Sequence, residues 1–202
     1  EWSATGQAQA LTALPVLTID KIGEAAPRPW PAGDRPLSGL RVLDLSRVIA
    51  RPVAGRTLAA HGADVMLISS PKLPAIPWLV IDTGRGKLSA SADLTTDEGR
   101  STLRGLLVGA DVFSQGYRPQ GLAALGFSPE QVAQASPGIV YVSLSAYGHV
   151  GPWSGRRGFD SLVQTAAGWN HAEGLAAGLA GPKELPMQIL DANMTRWIEG
   201  QA

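Results

Sequence analysis

Cysteine is absent from the 202 residues, which excludes disulfide bonds and zinc sites built on thiolates. An excess of charge of one sign is also lacking, because 17 lysines and arginines balance 17 aspartates and glutamates. A neutral chain without basic clusters argues against nucleic acid or an anionic membrane as the main partner. No apolar run approaches the roughly 20 residues of a membrane span, and no signal-peptide pattern opens the sequence.

What is present indicates a globular protein with many short elements. Apolar residues make up 45% of the chain, and 24 glycines and 15 prolines make turns frequent. Residues 1–17 have the composition of a weak helix, and "PRPWPAGDRP" at 27–36 predicts an extended linker. We therefore expect an N-terminal segment over residues 1–36 and an ordered domain over 37–202.

Beyond the linker, short apolar runs alternate with helical patterns. Strands are predicted over residues 40–45, 64–68, 111–114 and 138–146, and helices over residues 53–63, 95–107, 128–135 and 161–174. The small residues at 172–181 predict a flexible loop. This alternation indicates an α/β fold, a parallel sheet with helices on both faces. In such sheets the ligand lies beyond the carboxyl ends of the strands.

The ends of the predicted helices carry capping signals. Thr95 and Glu98 have the spacing of a capping box, and Pro129 follows Ser128 at the start of another helix. Gly62 is a natural helix end, and Asp160 is expected to cap the helix that follows it.

Histidine and serine patterns do not indicate a metal site or a serine hydrolase. The histidines, His61, His149 and His171, lack the spacing of metal ligands. No GxSxG motif exists, and Ser143 lies in a strand pattern without a histidine nearby.

Two charged segments each leave two interpretations open. "TGRGKLS" at 83–89 lacks the spacing of a nucleoside-triphosphate loop, so Arg85 and Lys87 either hold a phosphate or form a solvated basic turn. Asp191 follows the apolar run in "LPMQILDANMTRW" and is either a helix cap or a carboxylate facing the ligand crevice. Asp44, within a strand pattern, is expected to be a structural hydrogen-bonding group.

Several motifs occur together in a recognisable order. They are "PLSGLRVLDLSRVIARPVAGRTLAAHGADVMLI", "RGKLS", "ADVFSQGYRPQGLAALGF", "PGIVYVSLSAYGHVGPWSGRRGFDSLVQTAAG" and "LPMQILD". In this order and spacing the chain resembles the family III CoA-transferases, over roughly residues 36–191. The resemblance implies a Rossmann-like large domain, a smaller second domain and an interlocked homodimer. The absence of cysteine suits a reducing compartment, and we expect a cytoplasmic location.

The resemblance also implies a chemistry. Asp191 stands where the family has its catalytic aspartate, which attacks an acyl-CoA thioester and forms an aspartyl anhydride. An aspartyl-CoA thioester follows, and a carboxylic acid acceptor then takes the CoA. Coenzyme A is thus a substrate, and no permanently bound cofactor is implied.

Loops that line coenzyme A in the family map onto four segments here. The residues concerned are Val48, Ile49, Ala50, Arg85, Lys87, Gly116, Tyr117, Arg118, Ser145, Tyr147 and Gly148. By this mapping Tyr117 packs against the adenine, although a core tyrosine is the alternative.

The chain departs from the family pattern mainly by losing cations. Arg51 replaces a glycine, whereas Leu67, Leu88, Ser70 and Ala124 replace basic residues and Ser69 replaces an acid. Fewer cations predict weaker binding of CoA phosphates.

The chain is also about half the family length, so we expect the second domain to be absent or truncated. A non-catalytic relative acting as a partner subunit is therefore the alternative function. An α-methylacyl-CoA racemase of the same fold is disfavoured, because Phe159 replaces the proton-carrying histidine of its motif.

Overall fold

Five parallel strands form the centre of the protein. The computed structural model describes residues 2–187, and the predicted nucleophile Asp191 lies outside them. The strands are β1 (Arg41–Leu45), β2 (Asp64–Ser69), β3 (Leu88–Ser91), β4 (Val112–Gln115) and β5 (Val140–Ser143), in the sheet order β3-β2-β1-β4-β5. The predicted α/β fold with a parallel sheet is confirmed.

Helices follow or flank these strands. They are α1 (Gly6–Leu11), α2 (Ala50–Ala60), α3 (Pro77–Thr83), α4 (Asp97–Leu107), α5 (Pro129–Ala135), α6 (Asp160–Ala166) and α7 (Trp169–Ala176), with short 3-10 helices at Trp2–Ala4 and Ala123–Leu125. Residues 12–40, which include the Pro-rich segment, lie in no helix or strand.

Alternate residues of the central strands point to opposite faces of the sheet, as the pleat requires. On one face, Val42 and Val65 pack with Ala59 of α2 and with Ala63. On the other face, a larger cluster joins Leu43, Leu45 and Phe113 of the strands to residues that include Leu103, Leu107, Phe127 and Val132. Both faces are thus covered, and the helices α2 and α4 lie on opposite sides.

Two elements that the sequence patterns missed are α3 and β3. β3 is an edge strand that is mostly exposed and reads "LSAS", so it lacks the apolar run of a buried strand. α3 is a helix of 7 residues, and no side chain caps its N-terminus. Short elements at an edge carry little of the apolar periodicity on which prediction depends.

The predicted helix over residues 161–174 is divided in two. α6 ends at Ala166, and α7 begins after Gly168, whose φ of 85° lies in the left-handed region that favours glycine. Residues 172–176 belong to α7, so the prediction of a loop from residue 172 was wrong for them.

Helix starts are partly as predicted. Ser128 and Gln131 form a complete capping box, with Pro129 in the first turn. At α4 the capping residue is Thr96, whose side chain accepts a hydrogen bond from the Gly99 amide; the predicted Thr95 instead bonds to Asp93. Asp160 is the first residue of α6 and does not cap it, since Phe159 occupies that position.

Candidate active site at the carboxyl ends of the strands

The order of the sheet reverses between β1 and β4, and the chain leaves both strands toward the same edge. A crevice at such a reversal is the usual ligand site of an open parallel sheet. The loops after β1, β4 and β5 carry residues 48–50, 116–118 and 145–148, so the fold brings three of the four predicted segments to this edge. Val48 has a φ of 70°, a strained conformation for a branched residue.

A buried ion pair lies under the crevice. Lys87 Nζ is 2.7 Å from Asp44 Oδ2, and the two side chains are 1% and 0% exposed. Lys87 also donates to the carbonyl of Pro52 at 2.7 Å, and Ser46 Oγ donates to the second carboxylate oxygen of Asp44. The structural role predicted for Asp44 is confirmed, and the solvated-turn alternative is wrong for Lys87.

The helix α2 approaches this pair closely at Gly55. A Cβ on Gly55 would lie 2.5 Å from Asp44 Oδ2 and 2.9 Å from Lys87 Nζ. Since real Cβ atoms do not come this close to other heavy atoms, a larger residue would push the helix away or separate the two charges. Because Gly55 has no side chain, Lys87 can pass beside α2 and reach Asp44 on β1.

Arg51, in the first turn of α2, is a second buried cation. It donates from Nη2 to Ser114 Oγ, whereas Nε and Nη1 have no hydrogen-bond partner among the described residues. Burial lowers the pKa of Arg51 to about 10, and the nearby charge of Asp44 opposes that shift. Asp44 is thus the ion-pair partner of Lys87, whereas Arg51 lies near it but bonds to Ser114.

The loop after β4 is fixed by Gln115. Its amide nitrogen donates to Ser143 Oγ at 2.6 Å, and its oxygen accepts from the Tyr117 backbone amide at 2.7 Å. Tyr117 packs against the larger hydrophobic cluster, and burial raises the pKa of its hydroxyl, a shift that the charge of Arg47 opposes. Tyr117 thus has the core contacts of the alternative interpretation, although it is only half-buried.

The remaining predicted residues differ in exposure. Arg118 is exposed, and Arg85 is exposed beside Asp82 at 3.3 Å. Arg85 and Lys87 line a cavity of about 290 Å³ whose other walls include Leu67, Ile81 and Leu88. The hydroxyl of Ser145 is buried without a hydrogen-bond partner in the part of the chain that the structure describes.

The loop after β5 is held by a residue that sequence reasoning did not single out. Gln7 of α1 is fully buried and donates from Nε2 to the carbonyls of Tyr147 and Val150, both at 2.7 Å. Its oxygen accepts from the Trp153 amide at 2.7 Å. A lone glutamine about 140 residues away in sequence gives no pattern by which this contact could be predicted.

Within residues 2–187 the structure contains no group of three or more histidine, cysteine or acidic residues that could hold a metal ion. Over the same residues, no helix has both the length and the hydropathy that crossing a bilayer requires.

These features agree with comparisons to known proteins. The model of CoA-transferase family III matches residues 37–196, which include all the loops at the crevice and Asp191. The chain therefore belongs to CoA-transferase family III.

Particular relatives define the similarity further. A probable fatty acyl-CoA transferase of Mycobacterium tuberculosis is 33% identical over 78% of this chain and 43% of its own length. A succinate–glutarate CoA-transferase of Agrobacterium fabrum is 35% identical over 66% of this chain and 38% of its own length. A crystal structure of a CaiB/BaiF family protein from Brucella suis superposes with a TM-score of 0.69 and 28% identity, over 83% of this chain and 49% of that chain. The chain thus spans less than half the length of these relatives.

Proposed function

We propose that this chain binds acyl-CoA at the carboxyl ends of β1, β4 and β5 and takes part in transfer of CoA to a carboxylic acid. The observation that carries the proposal is the family match over residues 37–196, because it covers the crevice loops and Asp191 together. The proposal extends to a cytoplasmic location, to a homodimer and to the absence of a permanently bound cofactor.

Asp191 is the proposed nucleophile. Its carboxylate attacks the thioester carbonyl, the carbon–sulfur bond breaks, and CoA leaves as the thiolate, so a mixed anhydride forms. The thiolate then attacks the aspartyl carbonyl, releases the first acid and forms an aspartyl-CoA thioester. The acceptor carboxylate attacks that thioester in turn, and the returning thiolate takes the new acyl group and frees Asp191. Covalent catalysis thus divides one difficult transfer into easier steps.

The cations predicted to bind CoA divide into two groups in this proposal. Arg85 and Arg118 are exposed and can meet the phosphates of CoA with charge-assisted hydrogen bonds. Lys87 already has Asp44 and the Pro52 carbonyl as partners. We therefore assign Lys87 a positioning role, in which it fixes α2 against the end of β1 and so orients the loop at residues 48–50.

A trapping experiment tests the nucleophile. Incubation with acetyl-CoA and hydroxylamine should convert Asp191 to a hydroxamate, which peptide mass spectrometry locates. The Asp191→Asn variant should lose this product, whereas Glu184→Gln, which alters an exposed carboxylate a few residues earlier in the sequence, should keep it. A hydroxamate that persists in Asp191→Asn would exclude Asp191 as the nucleophile.

A second candidate function is that of a non-catalytic partner subunit. Arg51 favours it, because the guanidinium group fills space beside β4 where the resemblance predicts a glycine. Under this alternative the chain binds CoA or a second subunit without forming an adduct. CoA binding by a wild-type chain that yields no hydroxamate would support this function over the first.

A further inference from the structure

A second cavity lies where the N-terminal segment meets the rest of the molecule. It has a volume of about 190 Å³. Its walls come from the N-terminal segment, the loop after β5 and α6, through Trp2, Leu11, Ala146, Tyr147, Gly148, Val163, Ala166 and Ala167. Each of these residues is half-buried, so the cavity is neither sealed nor flat.

The lining of the cavity is apolar, and the cavity exists because several of its wall residues have small side chains. Three alanines and one glycine face two larger aliphatic side chains, and the aromatic rings of Trp2 and Tyr147 complete the walls. No charged residue is among them. Because water in a cavity needs several polar partners, this lining favours a hydrocarbon group over water or an anion.

The wall that the N-terminal segment provides is held against the loop after β5 by several contacts. Gln7 makes its three hydrogen bonds to the loop after β5, and the Trp2 and Trp153 rings lie 5.7 Å apart. A Cβ at Gly148 would lie 2.6 Å from Leu11 Cδ2, so the backbone of this loop and the helix are in direct contact. The cavity is therefore formed by tertiary contacts between two parts of the chain that are distant in sequence.

Tyr147 and Gly148 line this cavity and also belong to the predicted CoA-binding loop that follows β5. We propose that the cavity receives the acyl chain of an acyl-CoA with a straight chain of about six carbons. An apolar cavity of about 150 Å³ is enough to bind benzene, which also has six carbons. This inference rests on the proposed function, because it names the substrate class of the same site.

The first test measures affinity along a series of acyl chains. Calorimetric titration of CoA, acetyl-CoA, butanoyl-CoA and hexanoyl-CoA should show tighter binding with each pair of carbons, by up to about fourfold per buried methylene. Ala166→Leu places a larger side chain in the cavity and should abolish this increase while leaving the affinity for free CoA unchanged. Ala172→Leu, on the exposed surface of α7, is the matched control and should retain the full series.

The second test probes the cavity without CoA. Addition of 1-hexanol to protein labelled with 13C at alanine methyls should shift the signals of Ala146, Ala166 and Ala167, but not that of the core residue Ala110. If these methyls do not move and affinity does not depend on chain length, the inference is wrong. If 1-hexanol binds but CoA and its thioesters do not, the proposed function fails and the assignment to acyl-CoA fails with it. If CoA binds equally with every acyl chain, the proposed function stands and only the acyl pocket is refuted.

Discussion

The two faces of the sheet are covered by different types of side chain. The face under α4 and α5 is filled with large apolar side chains, among them the fully buried Phe113, Phe127 and Leu103. The face under α2 has small residues such as Val42 and Ala59, and toward the carboxyl ends it gives way to the charged group of Asp44, Lys87 and Arg51.

We interpret this difference as a division of roles, in which one face stabilises the fold and the other supports the proposed site. Large apolar groups on one face supply the burial that keeps the sheet folded. Buried charges on the other face contribute little net stability, because desolvation opposes their attraction. We propose that these charges instead hold the end of β1 and the start of α2 in place beside the crevice loops.

Truncation of the apolar face and removal of the Lys87 charge should have the two largest effects. Phe113→Ala removes a fully buried ring and should lower the free energy of unfolding by about 3–5 kcal/mol, measured by urea denaturation. Val108→Ala, at a position that is 70% exposed, is the control and should change it by less than about 0.5 kcal/mol. Equal losses in the two variants would contradict the claim that burial of Phe113 stabilises the fold.

The two cations of the charged face should respond in opposite ways. Lys87→Met leaves Asp44 buried without its ion-pair partner and should cost about 3–5 kcal/mol. Burial lowers the pKa of Arg51, which means that its charged form is costly to bury. Arg51→Met should therefore leave the free energy of unfolding within about 1 kcal/mol of the wild type or raise it. Urea denaturation at neutral pH measures both.

The contrast between these two variants is the informative quantity. Both substitutions remove a buried positive charge and introduce the same side chain, so the two variants differ mainly in whether that charge had an ion-pair partner. A loss with Arg51→Met as large as that with Lys87→Met would show that Arg51 is paired in solution, whereas within residues 2–187 its Nε and Nη1 atoms have no hydrogen-bond partner.

The smallest predicted effect lies on the apolar face at high pH. Burial raises the pKa of Tyr141 to about 12, and its ring stacks on Phe113 with centroids 5.3 Å apart. Between pH ~10, where an unfolded tyrosine ionises, and pH ~12 the folded protein retains a proton that the unfolded chain loses. Stability should therefore fall as the pH rises through this window.

Tyrosinate absorbance follows this titration directly. The wild type should show a late tyrosine signal near pH 12, and Tyr141→Phe should remove that phase and lessen the loss of stability. A late phase that survives the substitution would come from another tyrosine and would contradict the raised pKa of Tyr141.

The sequence alone predicts those parts of the molecule whose patterns are local. The buried strands β1, β2 and β4, the helix α4 and the Ser128 cap follow from apolar runs and capping residues. The edge elements α3 and β3 were not predicted, because exposure removes the periodicity that would mark them.

The site was predictable to a smaller degree. The loops after β1, β4 and β5 could be placed together, since parallel strands end at the same edge. The pairing of Lys87 with Asp44 across 43 residues, and of Gln7 with the loop after β5, depends on tertiary packing that no local spacing records. The predicted role of Arg85 in binding phosphate stays a prediction.

Calorimetric titration of CoA into the wild-type chain at low and moderate salt tests whether this chain binds CoA. We expect binding that weakens as salt is raised, because the exposed Arg85 and Arg118 meet the phosphates through screened charges. The absence of binding at both salt concentrations would contradict the proposed function, and the chain would then share the fold of the family without binding its ligand.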